Sequence, residues 1–336
     1  MVNFHNAYYR TKRRPEHWLW EYQTYDPRSA VFAVGEDNGK VVATSGALPI
    51  CMEVGTECVL ASKSENFLCL PAYRLTGVMR NLVKYADENC IARGVQFKWG
   101  LGPAAKSLRK TSYALYPDIE VLTRPGNIWV DMVSRLQDNT PLWRRLGSIG
   151  KLILKSFSNY KRIPEVERRA GYEIRKGRIP GEDLKSLYDR IKSRNGNVIC
   201  IKYDERFLSW RVRGHPFLKY DEYQVYEGGK MRAYAITTLF KGVVSISDIL
   251  SEDGYATSVL LHTILRDYRG AGRFRFMGNP KDYLAEGIFK ELRRFGFSVA
   301  MNWDLTVKDL AGTGDERLFD IRNWHINGLW SEGYLY

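Results

Sequence analysis

The chain has 336 residues, 44% of them hydrophobic and 13% aromatic, with a formal net charge of +13. That length suits roughly two domains of ~150 residues each, and the apolar content excludes a disordered chain. No apolar run reaches the ~18–20 residues of a transmembrane helix, and the N-terminus lacks a signal-type apolar stretch, so a soluble cytoplasmic protein is expected.

From residue 30 onward, alternating and β-branched runs are broken at Asp37-Asn38-Gly39, a strong hairpin signal, and again at Gly55. This predicts three or four antiparallel strands, the last ending over 65–70. A helix is predicted over 77–93, with Val78, Leu82, Val83, Ala86 and Ile91 near helical spacing and Gly94 closing it. The sequence VQFKWGLG reads as the next strand, PAAKSLRKT as a short helix with proline in its first turn, and DIEVLTRP as a further strand. Residues 129–177 read as a basic helical connector; between Arg144 and Arg178 there are eleven Lys or Arg and three acids. Such a surface concentrates anionic partners such as phosphorylated cofactors, nucleotide-sugars or acidic carriers. The second half repeats the order of elements: a helix over 181–194, turn signals at Gly228-Gly229 and Lys241-Gly242, a helix over 256–269, the strand RFRFMG, a helix over 280–295 and the strand FSVAMNW. The recurrence of hairpins, helix, strand, helix, strand is an internal structural repeat.

The stretch CLPAYRLTGVMRNL asks why Arg-x-x-Gly stands where a strand hands over to a helix. Consecutive N–H groups at a positive helix end meet the requirements for holding a pyrophosphate. Gly77 lets the backbone approach closely, and Arg74 adds fixed charge.

The segment LPAYRLTGVMRNLVKYADENCIARGVQFKWG resembles the acyl-CoA-binding core of the GCN5-related N-acetyltransferase (GNAT) superfamily, whose signature is Arg or Gln, two residues, Gly, one residue, then Gly or Ala. PEHWLWEYQTYDP, RFLSWRVRGHPFLKY and the terminal GLWSEGYLY resemble a tandem-domain bacterial subgroup associated with surface-polysaccharide synthesis. The resemblance implies an α/β (mixed α+β) chain with two GNAT-like domains in tandem, each a mostly antiparallel mixed sheet flanked by helices. These are an acyl-CoA-binding domain over 1–128, the connector over 129–177 and a degenerate domain over 178–336. It implies a fourth strand over 66–70 and a fifth over 95–100, splayed to admit pantetheine. Leu68 and Leu70 then bond the pantetheine arm, while Arg74 and the amides of Leu75, Thr76, Gly77, Val78 and Met79 meet the pyrophosphate of acetyl-CoA or another short acyl-CoA. Met79 departs from the signature, and GLGPAAKSL lacks the Asn expected after the fifth strand. SEDGYATS, at the matching turn of the second half, carries acids that repel phosphate, so that half is expected to bind no CoA.

Acyl transfer to an amine needs a proton acceptor and a proton donor for the leaving thiolate. Glu65 is the expected base; Tyr113, ahead of Tyr116, is the expected acid. His215 reads as structural, and His325 as a residue that could face the cleft. No histidine spacing or Cys-x-x-Cys indicates a metal. The activity implied is N-acetyl transfer to an amino-sugar or related amine, free or on a nucleotide or lipid carrier. The alternatives are an aminoacyl-tRNA-dependent transferase of the cross-bridge type and a non-catalytic binding protein; nucleic acid is not expected as a partner.

Overall fold

The computed structural model describes residues 2–8, 12–25, 30–102, 113–127, 130–131, 162–167, 169–194 and 196–330. Their strands join in one sheet: β1 (Val31–Asp37), β2 (Lys40–Val54), β3 (Glu57–Cys69), β4 (Phe97–Gly102), β5 (Ala114–Pro125), β6 (Tyr172–Lys176), β7 (Ile199–Ile201), β8 (Tyr220–Glu227), β9 (Lys230–Phe240), β10 (Val243–Ser251), β11 (Arg273–Gly278) and β12 (Ser298–Asp309). The order is β1-β2-β3-β4-β12-β5-β11-β10-β9-β8-β6, with β7 on β2. It is symmetric about the central β12–β5 pair. In each half a three-stranded meander leads to a parallel partner, β3 with β4 and β10 with β11. The strand next to each parallel pair comes from the other half: β12 lies antiparallel to β4, and β5 antiparallel to β11. The halves thus exchange their last strands and share one sheet.

The turns follow from local chemistry. Asn38 and Gly39 (φ 49° and 74°), Gly228 and Gly229 (57° and 76°), and Lys241 and Gly242 (47° and 75°) supply the left-handed pairs that tight hairpins need. Helix α3 (Val78–Ala92) begins and ends within a residue of expectation. In the second half α4 (Gly181–Lys192), α5 (Glu205–Leu208), α6 (Gly254–Asp267) and α7 (Glu286–Arg294) complete the repeat. α7 is shorter than the helix expected over 280–295, because Asn279 and Asp282 accept hydrogen bonds from the amides of Lys281 and Leu284 and hold a non-helical turn ahead of it. The connector expected over 129–177 ends in a strand, since β6 pairs with β8; residues 132–161 and the helix expected after β4 lie outside the described residues.

Two elements precede β1: α1 (Val2–Tyr8), and α2 (Pro15–Leu19) with its π-helical extension Trp20–Thr24. The second half repeats the latter as α5 with the π-helical Ser209–Arg213 before β8. The two extensions meet across the pseudo-symmetry. Trp20 Nε1 donates to the Trp210 carbonyl (3.0 Å) and Trp210 Nε1 to the Trp20 carbonyl (2.9 Å), with the rings stacked at 5.4 Å. Both indoles are buried, so each finds its required acceptor while its ring fills the shared core.

The two faces of the first-half sheet are covered differently. Val31, Ala33, Ala43 and Ala47 pack under Leu82, Ala86 and Cys90 of α3. Phe32, on the opposite face, packs against His5, Trp18 and Tyr22. α3 is fixed to the sheet by charge as well: Asp87 accepts from Lys98 Nζ of β4 (2.9 Å) and Lys308 Nζ of β12 (2.7 Å). Asp87 and Lys98 are both buried, a setting in which each charge needs its partner.

Candidate active site

β3 and β4 pair only from Ala61/Phe97 to Lys63/Trp99, after which they diverge and the sheet opens as a fork. The strand expected over 66–70 is the far end of β3, which begins at Glu57. Just past the last pair β3 carries a bulge: Glu65 faces Gly46, but Leu68 faces Thr44. Asn66 sits there at φ 52°, the one left-handed non-glycine residue outside the hairpin turns among the described residues. Asparagine is among the few side chains that tolerate this conformation, and such strain clusters at functional sites. The bulge is held on every side. Thr44 Oγ1 donates to the Asn66 carbonyl (2.8 Å), Asn66 Nδ2 donates to Tyr22 Oη (2.6 Å), and Arg13 bridges Asn66 Oδ1 (3.3 Å) and the buried Glu21 (2.8 Å). His5 adds a bond to Thr44, and burial with the nearby Arg13 charge lowers its pKa to about 4, which keeps it neutral.

The bulge also shifts the backbone register. Leu70 N donates to the Val42 carbonyl (2.9 Å), and the Leu70 carbonyl accepts from Tyr73 N (2.9 Å). Because backbone groups alternate along a strand, Leu68 is likewise turned toward β2, and the groups of Phe67 and Cys69 face the fork. Of the residues expected to bond pantetheine, Leu70 thus has its amide and carbonyl engaged with Val42 and Tyr73.

At the end of β3, residues 70–77 form a tight turn into α3. Tyr73 Oη donates to Asp37 (2.7 Å) and pins it to the β1–β2 hairpin. The amides of Arg74 and Thr76 are engaged within the turn, with the carbonyls of Pro71 and Tyr73 (both 3.3 Å). Gly77 has φ 85° and offers no side-chain cap, and the first turn of α3 contains no acid. The amides of Val78, Met79 and Arg80 therefore have no carbonyl a turn behind them in the helix. Arg74 Nε reaches back to the Cys69 carbonyl (3.4 Å) at the mouth of the fork. Arg80, which the sequence reading passed over, has Nη2 3.7 Å from where a Gly77 Cβ would stand; its signal was a second arginine in the helix's first turn. Leu75 is 99% exposed beside this cradle.

Glu65 lies inside β3 rather than at its start, ion-paired with the buried Lys63, which in turn sits over the Trp99 ring (5.9 Å). Tyr22 Oη occupies the space beside it that Gly46 leaves open. Tyr113 is buried on the α3 side against Val83 and Phe67, and burial raises its phenol pKa, so it remains protonated. Tyr116 is used structurally: its hydroxyl donates to the Phe319 carbonyl (2.8 Å). His215 is structural as expected, its Nδ1 accepting from the amides of Phe217 and Leu218.

The equivalent features of the second half are filled by the chain itself. β10 and β11 diverge after Ile246/Phe276, with a bulge between Ile246 and Asp248. The start of α6 is capped by Asp253, whose carboxylate accepts from Ala256 N (2.8 Å). Glu252 beside it is held by Arg190 and Arg232. The fork is occupied by the segment 324–330: Asn279 Nδ2 donates to the Trp324 carbonyl (2.9 Å), and Asn327 Nδ2 to Asp248 (2.8 Å). His325 lies in this second fork, not at the first. Among the described residues no three His, Cys, Asp or Glu side chains gather as a metal ion would require, and no described helix is long and apolar enough to cross a membrane.

Residues 1–116, which contain the fork between two parallel strands and the uncapped helix start at its mouth, match the family model of the acetyltransferase (GNAT) domain. The whole chain is similar in fold to a tandem GNAT protein from the clavulanic acid biosynthesis pathway, at 14% identity and TM-score 0.54, covering 90% of both chains. It is also similar to a probable N-acyltransferase from Enterococcus faecalis V583, at 11% identity and TM-score 0.58, covering 92% of this chain and 68% of that one. A third similar structure is N-myristoyltransferase from Saccharomyces cerevisiae with bound myristoyl-CoA, at 13% identity and TM-score 0.57, covering 89% of this chain and 72% of that one. No curated protein matches the sequence. The fold is a mixed α/β tandem of GNAT type, and the matched domain supports an acyltransferase.

Proposed function

We propose that the chain transfers an acyl group, most simply acetyl, from acyl-CoA to the amine of an amino-sugar or related compound, in the setting of surface-polysaccharide synthesis. One observation carries the reading. Among the described residues, the first half has an open fork leading to an uncapped, arginine-flanked helix start, whereas the second half fills both features with its own carboxylates and the segment 324–330. Val78, Met79 and Gly77 present amides to the pyrophosphate, with Arg74 and Arg80 adding charge. Phe67 and Cys69 offer main-chain groups to pantetheine. The α3 face is closed, so the acceptor reaches the thioester from the face bearing Glu65, Tyr22 and Trp99.

The amine nitrogen attacks the thioester carbonyl carbon, the C–N bond forms, and the C–S bond breaks with its electron pair on sulfur. Glu65 takes the amine proton and Tyr113 supplies one to the thiolate, which requires the Lys63–Glu65 pair to open and Tyr113 to reach the sulfur from the α3 side. Release of CoA thiol from acetyl-CoA in the presence of glucosamine, galactosamine and UDP-linked amino-sugars tests this. Transfer to at least one, lost in Gly77→Trp, is expected. Acetyl-CoA binding without transfer to any amine would remove the acceptor assignment.

A further inference from the structure

The occupied second fork shows, position by position, what the first is built to hold. Trp20 and Trp210 take reciprocal places in the two π-helical turns, so the residues that follow them, Glu21 and Arg211, are equivalents. Glu65 and Asp248 are equivalents as well: each stands two residues beyond the last pair of its parallel strands, Lys63 with Trp99 and Ile246 with Phe276. In the second fork both positions grip the segment 324–330. Asp248 accepts from Asn327 Nδ2 (2.8 Å), and the buried Arg211 donates its Nε hydrogen to the Leu329 carbonyl (2.9 Å). Asn327 and Leu329 are two residues apart, so at most about 7 Å of extended chain separates the two grips.

In the first half the second of these grips has changed sign. Glu21 is 0% exposed, and its Oε2 accepts from Arg13 Nη1 (2.8 Å) and from Asn66 Nδ2 (3.4 Å). Its Oε1 has no hydrogen-bond partner among the described residues. A buried carboxylate oxygen without a donor costs free energy, and a donor brought by a ligand removes that cost. The bulge ties this carboxylate to the fork, because Asn66 also donates to Tyr22 Oη, which fills the space at Gly46 opposite Glu65. Arg211 offers a hydrogen to a carbonyl; Glu21 can only accept one. An occupant of the first fork must therefore bring a donor to both positions.

Resting on the transfer reading above, we propose that Glu21 is a specificity-determining residue of the first fork: its free oxygen binds a second hydrogen-bond donor of the acceptor, a hydroxyl or an ammonium, while the reacting amine lies at Glu65. Acceptors are thereby restricted to amines that carry a second donor within about 7 Å of the reacting nitrogen. An amino-sugar meets that condition and a simple alkylamine does not. Because Glu21 has no exposed surface, the half-buried Tyr22 turns aside as the acceptor enters.

Ligand-observed NMR titration of the full chain with glucosamine, diaminobutane and cyclohexylamine, the last an amine without a second donor, tests the proposal. Wild type should bind glucosamine or diaminobutane at least about tenfold more tightly than cyclohexylamine, the worth of one hydrogen bond to a charged group. Which of the two it favours tells hydroxyl from ammonium. Glu21→Gln should abolish the preference: Arg13 takes the amide oxygen, and the amide hydrogens then face the acceptor's donor. Acetyl-CoA affinity, measured by calorimetry, should not change. Should Glu21→Gln fail to fold with Arg13 unbalanced, the double variant Arg13→Gln, Glu21→Gln leaves neither charge alone and should lose the same preference. A preference kept in the folded variant, or absent from the wild type, would overturn the proposal and leave the transfer reading standing. Acetyl-CoA affinity falling together with amine affinity would make Glu21 a support of the bulge and overturn it too. Acetyl-CoA binding without binding of any amine would remove the acceptor reading itself, and this proposal with it.

Discussion

Gly46 and Gly77 are both glycines for reasons of contact, and each reason predicts a different outcome on substitution. At Gly46 a Cβ would stand 2.3 Å from Tyr22 Oη and 2.9 Å from the Glu65 carbonyl. Gly46→Ala therefore drives Tyr22 out of the bulge and should cost about 1–3 kcal/mol in chemical denaturation. Adding Tyr22→Phe, which removes the colliding oxygen, should recover part of that loss; no recovery would mean that the carbonyl contact dominates. At Gly77 space is available, but φ is 85°. Gly77→Ala should cost only about 1 kcal/mol of left-handed strain and leave the cradle open, whereas Gly77→Trp closes it. Gly77 was legible because Arg-x-x-Gly at a strand-to-helix passage has a local meaning. Asn66 was not: a left-handed residue inside a strand leaves no mark on hydrophobic alternation, although the bulge it makes sets which backbone groups of 67–70 turn toward β2.

α3 and α6 occupy equivalent places and start in opposite ways. α6 is capped by Asp253, so Asp253→Ala should cost about 1 kcal/mol of stability, seen as a lowered Tm, and leave acyl-CoA binding unchanged. α3 has no side-chain cap, and its apolar packing on the sheet is supplemented by Asp87 between Lys98 and Lys308. Asp87→Asn leaves Lys98, 1% exposed, without its counter-charge. Breaking a buried pair of this kind costs about 3–5 kcal/mol, and the turn at Gly77 should lose its placement with the helix, so thermal stability and acyl-CoA affinity should fall together. The acids of the second turn were readable as hostile to phosphate. That one of them caps the helix was not, since capping depends on the angle at which the chain enters.

The hairpins and helices follow from neighbours in sequence, and for that reason the repeat was visible before the structure. The exchange of β5 and β12 is a matter of pairings between residues far apart, such as Trp303 with Ile119 and Arg273 with Pro125, for which no local pattern exists. The same holds for the tail filling the second fork and for the reciprocal Trp20–Trp210 bonds. Together these long-range features make the two halves unequal: among the described residues, one keeps an open fork and an open cradle, and the other closes both from within. The account therefore requires one acyl-CoA site per chain. Calorimetric titration of the full chain with acetyl-CoA measures this directly. One site, abolished by Gly77→Trp and retained by Asp253→Ala, is the predicted result; two sites, no binding, or one site indifferent to Gly77→Trp would contradict it.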